Sequence, residues 1–451
     1  MSFGDEDPLA RVGKALEERF PTRMVPDLDR IADLLDLLGD PQRAFPSIHI
    51  TGTNGKTSTA RMIDGLLREL SLRTGRYTSP HLESVTERIS IDTEPLSPQR
   101  FAEIYAEVAP LAELVDARHP DRVTFFEILT AMAFAAFADA PVDAAVVEVG
   151  LGGRWDATNV INAPVAVMMP VSLDHVGILG HSIEAIAGEK VGLIHAGATV
   201  VNGVQTEAAA RVVVDRVAEV GATLVNEGLD FGVRSRSVAL GGQVVELQGL
   251  TGVYSEVFLP LYGEHQARNA AMALAAVEAF LGTPSRGEPI DPELVRAAFA
   301  AVRSPGRIEV VRRSPTVLLD GAHNPAGAAA LAAALDEAFS FDRLIAVVGM
   351  LDDKDTAGVL AELEPVVTAL VVTTNGSPRA MPAAALGEIA VEVFGEERVR
   401  VVARLDDALD RAVASAEADA AFGGAGVVVT GSIVTVGEAR HLLRGSRGVR
   451  P

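Results

Sequence analysis

The feature that most constrains the fold is a glycine-rich turn between a short apolar run and a helix-like segment. The run covers residues 48–50, and the turn reads T-G-T-N-G-K-T over residues 51–57. Such a turn directs backbone N–H groups outward at a helix start, where the helix dipole favours an anion. A lysine adds charge against phosphates, and a Ser or Thr hydroxyl can reach Mg²⁺. The common phosphate-loop spacing requires glycine where Ile50 stands, so the pattern fits either a tighter phosphate loop or a plain turn with a solvated lysine.

Composition excludes several classes of function. The 451 residues include no cysteine, which rules out disulfides, thiolate zinc sites and cysteine nucleophiles. A net charge of −22 argues against nucleic acid and anionic membrane surfaces as partners. The N-terminus lacks the layout of a signal peptide, and no apolar run reaches the roughly 18 to 20 residues of a membrane span. We therefore expect a cytoplasmic monomer that binds neither nucleic acid nor membrane.

Short apolar runs alternate with helix-like segments along most of the chain, which predicts an α/β fold. The first forty residues predict helices with Gly39 as a stop, and another helix is predicted near 124–138. Residues 235–261 predict an antiparallel excursion, because glycines break short β-type pieces there. The predicted strands of a buried parallel sheet are 142–149, 165–171, 198–201 and 222–225.

A Ser-Pro-Gly stretch marks a predicted domain boundary. We place an N-terminal domain at residues 1–303, a linker at 304–306 and a C-terminal domain at 307–451. After the linker, β-type runs again alternate with helices, which is typical of a doubly wound, Rossmann-like sheet. A chain of this length is long enough to build a core in each domain.

Three polar residues have both a plain and a functional interpretation. Glu148 ends a β-type run, and ligands of open α/β sheets gather beyond the carboxyl ends of strands, where a carboxylate can hold a hard cation. His175 follows another β-type run, and Lys190 lies at a polar helix start. From the residues alone, Glu148 could leave the sheet for solvent, His175 could be structural, and Lys190 could be a surface lysine.

Nine motifs narrow these alternatives, because they follow one another in the order typical of one family. The loop resembles that of the Mur ligase superfamily, which departs from the common spacing in the same way. Later stretches resemble folylpolyglutamate synthases and dihydrofolate synthases, and the similarity runs from about residue 20 to the C-terminus. These stretches are residues 73–92, 146–160, 171–180, 188–192, 263–274, 304–309, 319–327 and 430–440.

The resemblance implies both a fold and a reaction. The fold would pair an N-terminal P-loop-type ATP-binding domain of the Mur ligase kind with a smaller C-terminal Rossmann-like α/β domain. The reaction would use ATP to convert the carboxylate of dihydropteroate or of a folate to an acyl phosphate. The amine of L-glutamate would then attack the carbonyl and release phosphate. Mg²⁺ at two sites would be the cofactor.

The resemblance also implies a role for individual residues. The catalytic set would be Lys56, His175, Lys190, Arg307 and His323. ATP would meet Gly52, Thr53, Asn54, Gly55, Lys56, Thr57, Ser58, Asn269, Arg307 and Asp320, with Gln266 in the same cleft. The metal ligands would be Thr57, Ser79, Glu148 and His175, directly or through water and ATP. In the family, the lysine at position 190 can carry CO₂ as a carbamate, and His323 and Ser432 would meet the incoming glutamate.

A pterin site is the last implication of the resemblance. Residues 152–159 resemble the form seen in bifunctional members, with Arg154 and Asp156 as pterin-binding candidates. An ionised carboxylate at Asp156 would pair well with the amino and ring N–H groups of a pterin. Phe125 and Phe126 are stacking candidates, although core packing explains aromatic residues there equally well. We expect both activities, and an enzyme that only lengthens the folate tail remains the alternative.

Two further alternatives remain. A cell-wall Mur ligase would add an amino acid to a UDP-sugar peptide, and the Y-T-S-P-H-L stretch at 77–82 counts against it. A nucleotide-binding switch would bind ATP without glutamate-dependent turnover, and the presence of both metal-site and second-domain motifs counts against it. Two measurements distinguish these functions. One is whether ATP hydrolysis depends on an amino acid, and the other is whether the protein binds a UDP-sugar or a pterin.

Overall fold

The computed structural model describes residues 7–21, 23, 25–419 and 424–445. The acidic start of the predicted N-terminal helices, residues 1–6, lies outside the described residues. The described part of the chain forms an eight-stranded, a three-stranded and a six-stranded sheet. Helices cover both faces of the two large sheets, as the hydrophobic clusters on either side show. The predicted α/β fold is therefore confirmed.

The eight-stranded sheet is built from the first half of the chain. Its strands are β1 (Ser47–Thr51), β2 (Thr74–Tyr77), β3 (Ile89–Ile91), β4 (Glu94–Pro95), β5 (Ala144–Glu148), β6 (Val165–Met168), β7 (Thr199–Asn202) and β8 (Thr223–Asn226). Their order across the sheet is β4-β3-β2-β5-β1-β6-β7-β8. All neighbours from β2 to β8 in this order are parallel, and β3 and β4 add an antiparallel edge. The four predicted runs therefore form one parallel sheet.

The remaining strands form two further sheets. The three-stranded sheet is an antiparallel meander, as predicted, of β9 (Gly232–Ala239), β10 (Gly242–Gln248) and β11 (Val253–Leu259). The six-stranded sheet contains β12 (Glu309–Arg313), β13 (Thr316–Leu319), β14 (Arg343–Val348), β15 (Ala369–Thr374), β16 (Val399–Arg404) and β17 (Ala425–Thr430). Its order is β12-β13-β17-β14-β15-β16, and only the β12–β13 pair is antiparallel.

Helices connect most of the strands. Those before β9 are α1 (Pro8–Glu17), α2 (Asp29–Leu37), α3 (Lys56–Glu69), α4 (Pro98–Asp116), α5 (Phe125–Asp139), α6 (Val176–Leu179), α7 (Ile183–Lys190) and α8 (Glu207–Val220). Those after β11 are α9 (Glu264–Leu281), α10 (Thr283–Arg286), α11 (Pro292–Ala301), α12 (Pro325–Ala338), α13 (Thr356–Leu363), α14 (Ala383–Phe394), α15 (Leu405–Asp419) and α16 (Ile433–Gly445). Short 3₁₀ helices lie at Pro41–Arg43, Val85–Arg88, Ala157–Val160, Val191–Leu193 and Glu396–Arg398. Among the described residues, no helix combines the length and apolar character that a bilayer crossing needs.

The strand pleat divides the core of the first half between two layers of helices. Ile48 and Ile50 of β1 point into a cluster with α3, α9 and α11. Ala145 and Val147 of β5 point into the opposite cluster, with α1, α2, α4 and α5. Side chains of one strand alternate between the two faces of a sheet, and ligands of open α/β sheets gather beyond the carboxyl ends of the strands. The carboxyl end of this parallel sheet is therefore the surface on which a site can form.

The chain passes from α11 to β12 through residues 302–308. The eight-stranded sheet precedes this stretch and the six-stranded sheet follows it. Domain limits at 303 and 307 stay a prediction.

Polar side chains join the two halves of the molecule. Asp174 and Lys354 form an ion pair of 2.6 Å in which both side chains are less than 10% exposed. Asn54 and Asn324 exchange two amide hydrogen bonds of 3.0 Å. Burial opposes ionisation of Asp174, but the hydrogen bond from His323 and nearby positive charges lower its pKa well below the ordinary value. The contact between the halves thus includes a buried charge pair.

We expect Asp174→Asn to weaken the contact between the halves. The substitution leaves Lys354 buried without its acidic partner, and breaking a buried pair in this way costs about 3 to 5 kcal/mol. Calorimetric unfolding without ligands measures the resulting decrease in the free energy of unfolding. Glu337→Gln is the control, because Glu337 pairs with Arg236 across the halves at a more exposed position, where a pair contributes about 1 kcal/mol or less. An equal decrease in stability in both variants would show that the buried pair contributes no more than the exposed one.

Candidate active site

The glycine-rich loop joins β1 to α3 and packs closely against the end of β6. Gly52 has a φ of 139° and Gly55 a φ of 86°, backbone conformations that favour glycine. A Cβ on Gly52 would lie 2.3 Å from the Cβ of Met169 and 2.8 Å from its carbonyl oxygen. Glycine at 52 is therefore required for the loop to lie this close to the sheet.

Two lysine amines meet at this loop. Lys56 begins α3, and its Nζ donates to the carbonyl oxygens of Gly52 at 3.0 Å and Thr53 at 3.1 Å. The Nζ of Lys190 donates to the same Gly52 oxygen at 2.9 Å. Burial lowers the pKa of both amines, and the charge of Lys56 helps to lower the pKa of Lys190 to about 7. Two amines thus lie beside a loop whose N–H groups also favour an anion.

A buried carboxylate lies opposite the lysines. Glu148 ends β5 and is 1% exposed. Its oxygens accept hydrogen bonds from the hydroxyl of Thr57 at 2.9 and 3.0 Å and from the backbone N–H of Ser79 at 3.2 Å. Burial raises the pKa of Glu148, which favours a cation beside it. The hydroxyl and carboxylate oxygens gathered here are the donors that Mg²⁺ prefers.

His175 borders the same space. Its Nε2 lies 3.9 Å from Oδ2 of Asp174. Burial lowers the pKa of His175 to about 4, so the imidazole is neutral at pH 7, which is the form that binds metals. In the described part of the chain, no three His, Asp or Glu side chains lie close enough to hold a metal ion by themselves. A bound Mg²⁺ would therefore need oxygens from water or from ATP.

The second half of the chain closes this space, which we name the loop cavity. Its walls include every residue predicted to be catalytic or to bind metal, together with Ser432. The lining residues that carry these predictions are Gly52, Thr53, Asn54, Gly55, Lys56, Thr57, Ser58, Ser79, Glu148, His175, Lys190, Arg307, His323 and Ser432. The structure thus brings together side chains that are separated by up to several hundred positions in the sequence.

A neighbouring space, the interface cavity, lies between α9 and the start of α12. Its lining includes Asn269, Gln266, Arg307 and Asp320, and the role of these residues in binding ATP stays a prediction. The Nδ2 of Asn269 donates to Oε1 of Gln266 at 3.2 Å. Asp320 accepts the N–H groups of Ile308 and Ala322, which holds its carboxylate in place just after β13. Burial raises the pKa of Asp320.

A third space, the aromatic cavity, has a volume of about 360 Å³. Its lining includes Phe20, Arg88, Phe125, Phe126, Trp155 and Asp156. It shares Ser79, Pro80, Gly150, Leu151 and Arg379 with the loop cavity. The two cavities therefore adjoin, and a long substrate could extend from one into the other.

Asp156 is held rigidly at the wall of the aromatic cavity. Its carboxylate accepts the N–H of Leu151 at 2.8 Å, the N–H of Thr158 at 3.0 Å and the hydroxyl of Thr158 at 2.5 Å. The Nε2 of the fully buried His49 lies 2.8 Å from that hydroxyl. Burial raises the pKa of Asp156, although these hydrogen bonds oppose the rise. The carboxylate therefore has a fixed direction.

Phe125 is packed more tightly than a free stacking surface would be. Its ring stacks on Phe20 with centroids 4.3 Å apart, and the guanidinium carbon of Arg88 lies 5.2 Å from its centroid. A Cβ on Gly150 would meet the ring of Phe126 at 2.5 Å, so that ring also packs against the chain. Core packing therefore describes both rings in this structure, and a stacking role for them stays a prediction.

Arg154 does not line the aromatic cavity, and a pterin contact for this residue stays a prediction. Its backbone N–H donates to the carbonyl of Glu189, and Cα and Cβ of Arg154 pack over Gly192. The exposed guanidinium then donates to the carbonyl of Gly188 at 3.3 Å. This side chain therefore packs along the end of α7.

Several residues that line these cavities were not predicted from the sequence. Lys354 and Asp174 line the loop cavity, Arg379 lines the loop and aromatic cavities, and Arg88 and Trp155 line the aromatic cavity. Lys354 follows the apolar run I-A-V-V-G-M at residues 345–350, so the strand-end argument applied to Glu148 could have found it. Arg379 lies in a loop without any periodic pattern, so the sequence gives no signal for it.

Comparison with known proteins assigns the chain to a family. Residues 50–277 match the Mur ligase middle domain, and residues 306–433 match the Mur ligase, glutamate ligase domain. The dihydrofolate synthase/folylpolyglutamate synthase of Mycobacterium tuberculosis is 52% identical over 457 residues, which cover 96% of this chain and 94% of that protein. The folylpolyglutamate synthase of Lacticaseibacillus casei is 36% identical over 429 residues, which cover 93% of this chain and 95% of that protein.

Solved structures agree with this assignment. The folylpolyglutamate synthase of Mycobacterium tuberculosis complexed with ADP has a TM-score of 0.93 at 52% identity, covering 98% of this chain and 99% of that one. An FPGS-AMPPCP-folate complex has a TM-score of 0.83 at 32% identity, covering 96% of this chain and 99% of that one. The family resemblance that the motifs suggested is confirmed: the chain belongs to the Mur ligase family and, within it, to the group of dihydrofolate synthases and folylpolyglutamate synthases.

Proposed function

We propose that this protein is an ATP-dependent ligase that joins L-glutamate to dihydropteroate and to the γ-carboxylate of tetrahydrofolate. The observation that carries the proposal is that two cavities adjoin and share lining residues. One combines a phosphate-type loop with a buried carboxylate and with cations from both halves. The other offers aromatic walls and the fixed carboxylate of Asp156. The names of the relatives support the same substrates. Only small molecules would be partners, and the enzyme would act as a cytoplasmic monomer.

ATP would bind across the loop cavity and the interface cavity. Its phosphates would lie against the loop N–H groups, and Lys56 would exchange its two carbonyl partners for phosphate oxygens. The nucleoside would extend toward Asn269 and Asp320. Arg307 lines both cavities and can offset phosphate charge from the second half of the chain.

Four side chains would hold Mg²⁺ at two sites, together with phosphate and water oxygens: Thr57, Ser79, Glu148 and His175. When bound, Mg²⁺ offsets charge on the phosphates as a Lewis acid. The residues of the chain then have to keep the reacting groups in line and exclude water. The burial of Glu148 suits this task, because it keeps the carboxylate fixed beside the loop.

The chemistry would proceed in two transfers. A carboxylate oxygen of the substrate attacks the γ-phosphorus of ATP, and ADP leaves. The amine of glutamate attacks the carbonyl carbon of the acyl phosphate, and inorganic phosphate leaves as the nitrogen loses a proton. His323, Lys354 and Ser432 would position glutamate, since they face the loop cavity from the second half. The Nδ1 of His323 lies 2.8 Å from the carbonyl of Gly321, which fixes the direction of the ring.

Lys190 would act as a carbamate. The neutral amine adds to CO₂, a C–N bond forms, and one proton is released, so a cation is replaced by an anion. This requires an amine that is neutral near pH 7, and the lowered pKa of Lys190 provides one. The new carboxylate would lie beside the loop at Gly52, where it could support a second metal ion.

Phosphate release from MgATP tests the proposed function directly. Purified protein with glutamate is offered dihydropteroate in one reaction and tetrahydrofolate in another, and a reaction without glutamate is the control. We expect glutamate-dependent turnover with both acceptors. Turnover with tetrahydrofolate alone would leave an enzyme that only lengthens the folate tail. Turnover only with a UDP-sugar peptide, or ATP binding without any glutamate-dependent release, would contradict the proposal.

A carbamate on Lys190 predicts dependence on CO₂ and on pH. The neutral, reactive fraction of the amine falls as pH drops below about 7, so turnover in CO₂-depleted buffer should fall most steeply there, and added bicarbonate should restore it. Lys190→Arg keeps a positive charge but cannot form the carbamate, and we expect turnover to fall by at least about 100-fold. NMR with isotopically labelled bicarbonate measures the adduct. Full activity of Lys190→Arg together with no adduct signal would rule the carbamate out.

A further inference from the structure

Arg88 is a buried arginine at the wall of the aromatic cavity. It ends the 3₁₀ helix Val85–Arg88 and is 8% exposed. Its Nε donates to Nδ1 of His81 at 2.9 Å. Burial lowers the pKa of His81 to about 4, so this partner is a neutral imidazole that does not compensate the charge of the guanidinium.

No acidic side chain in the described part of the chain forms an ion pair with Arg88, and no acceptor there contacts its two terminal nitrogens. Glu87 and Glu148 act on it through space. Both are already engaged, because Glu87 accepts three backbone N–H groups and Glu148 accepts groups from Thr57 and Ser79. The charge of Arg88 is therefore buried without an acidic partner among the described residues.

The other buried arginines of the described residues show a different arrangement. Each of them forms an ion pair with an acidic side chain: Arg19 with Asp116, Arg30 with Glu127, Arg76 with Asp64, and Arg440 with Glu309. Burying a charge without a partner is costly. The exception at Arg88 therefore indicates that an anion from outside the chain completes the pair.

We propose that Arg88 binds the α-carboxylate of the glutamyl residue at the end of a folate substrate. The proposal rests on the proposed function. A guanidinium presents parallel N–H groups that match a carboxylate with two hydrogen bonds, and both terminal nitrogens of Arg88 are available for them. Folates carry this carboxylate and dihydropteroate does not. Arg88 would thus determine specificity for the tail-lengthening reaction.

The location of Arg88 favours the α-carboxylate over the carboxylate that reacts. The reacting group must meet the γ-phosphate in the loop cavity, and Arg88 lines only the aromatic cavity. An ion pair would also hold the reacting oxygen back from phosphorus. The α-carboxylate does not react and can remain near the junction at Ser79 and Leu151. The ring of Phe125 supports the guanidinium plane without using any of its donors.

Binding to Arg88→Met tests the proposal, because methionine keeps much of the side-chain length and removes the charge. Trp155 is the only tryptophan of the chain and lines this cavity, so its fluorescence reports binding directly. We expect the Kd for tetrahydrofolate to rise by about 10-fold to 100-fold, the loss typical of a charge-assisted hydrogen-bond pair. The Kd for dihydropteroate should stay within about twofold. An unchanged Kd for tetrahydrofolate, or equal losses for both ligands, would overturn the proposal.

Thermal unfolding without ligands separates this role from a structural one. Arg88→Met should melt at or above the temperature of the unchanged protein, because it removes an unpaired buried charge. Arg19→Met is the matched control: it should melt lower, because it leaves Asp116 without its partner, and it should change neither Kd. A large fall in the melting temperature of Arg88→Met would contradict the proposal. If the unchanged protein binds both ligands but turns over neither, the proposed function fails, and the binding comparison still decides the role of Arg88.

Discussion

The close packing of the glycine-rich loop on the end of β6 is the constraint on which the site depends. Gly52 approaches Met169 so closely that no side chain fits, and Gly55 approaches the side-chain oxygen of Asn269 in the same way. This packing fixes where α3 begins, and with it the direction of Lys56 and Thr57. It also places the loop between two cavities, so one segment can contact both the phosphates and the nucleoside of ATP.

Charge explains how a strongly acidic protein can bind anionic substrates. The net charge is −22, yet the cationic side chains of Lys56, Arg307 and Lys354 all face the loop cavity. Burial lowers the pKa of Lys56, so the charge of this amine is held in the site at a cost. An anionic ligand offsets that cost by direct pairing. The local arrangement of cations, rather than the overall charge, therefore determines which ligands bind.

The sequence predicted those parts of the site that local patterns determine. Glu148 follows from the rule that ligands gather at strand ends, and Lys56 and Thr57 follow from the loop pattern. Contacts that depend on packing between distant segments were not predictable in this way. Arg154 turns toward Gly188 because its backbone packs on α7, and Lys354 reaches Asp174 across 180 positions of sequence. No sequence pattern distinguishes Arg88, and its lack of an acidic partner among the described residues becomes visible only once its neighbours are known.

A crystal structure with MgAMPPCP and glutamate would test most directly whether the loop is the phosphate site. We expect the triphosphate in the loop cavity, with Nζ of Lys56 moved from the carbonyl oxygens of Gly52 and Thr53 to phosphate oxygens. Arg307 should contact the same ligand from the second half of the chain. A nucleotide bound elsewhere, with Lys56 still hydrogen-bonded to the loop carbonyls, would contradict this interpretation of the site.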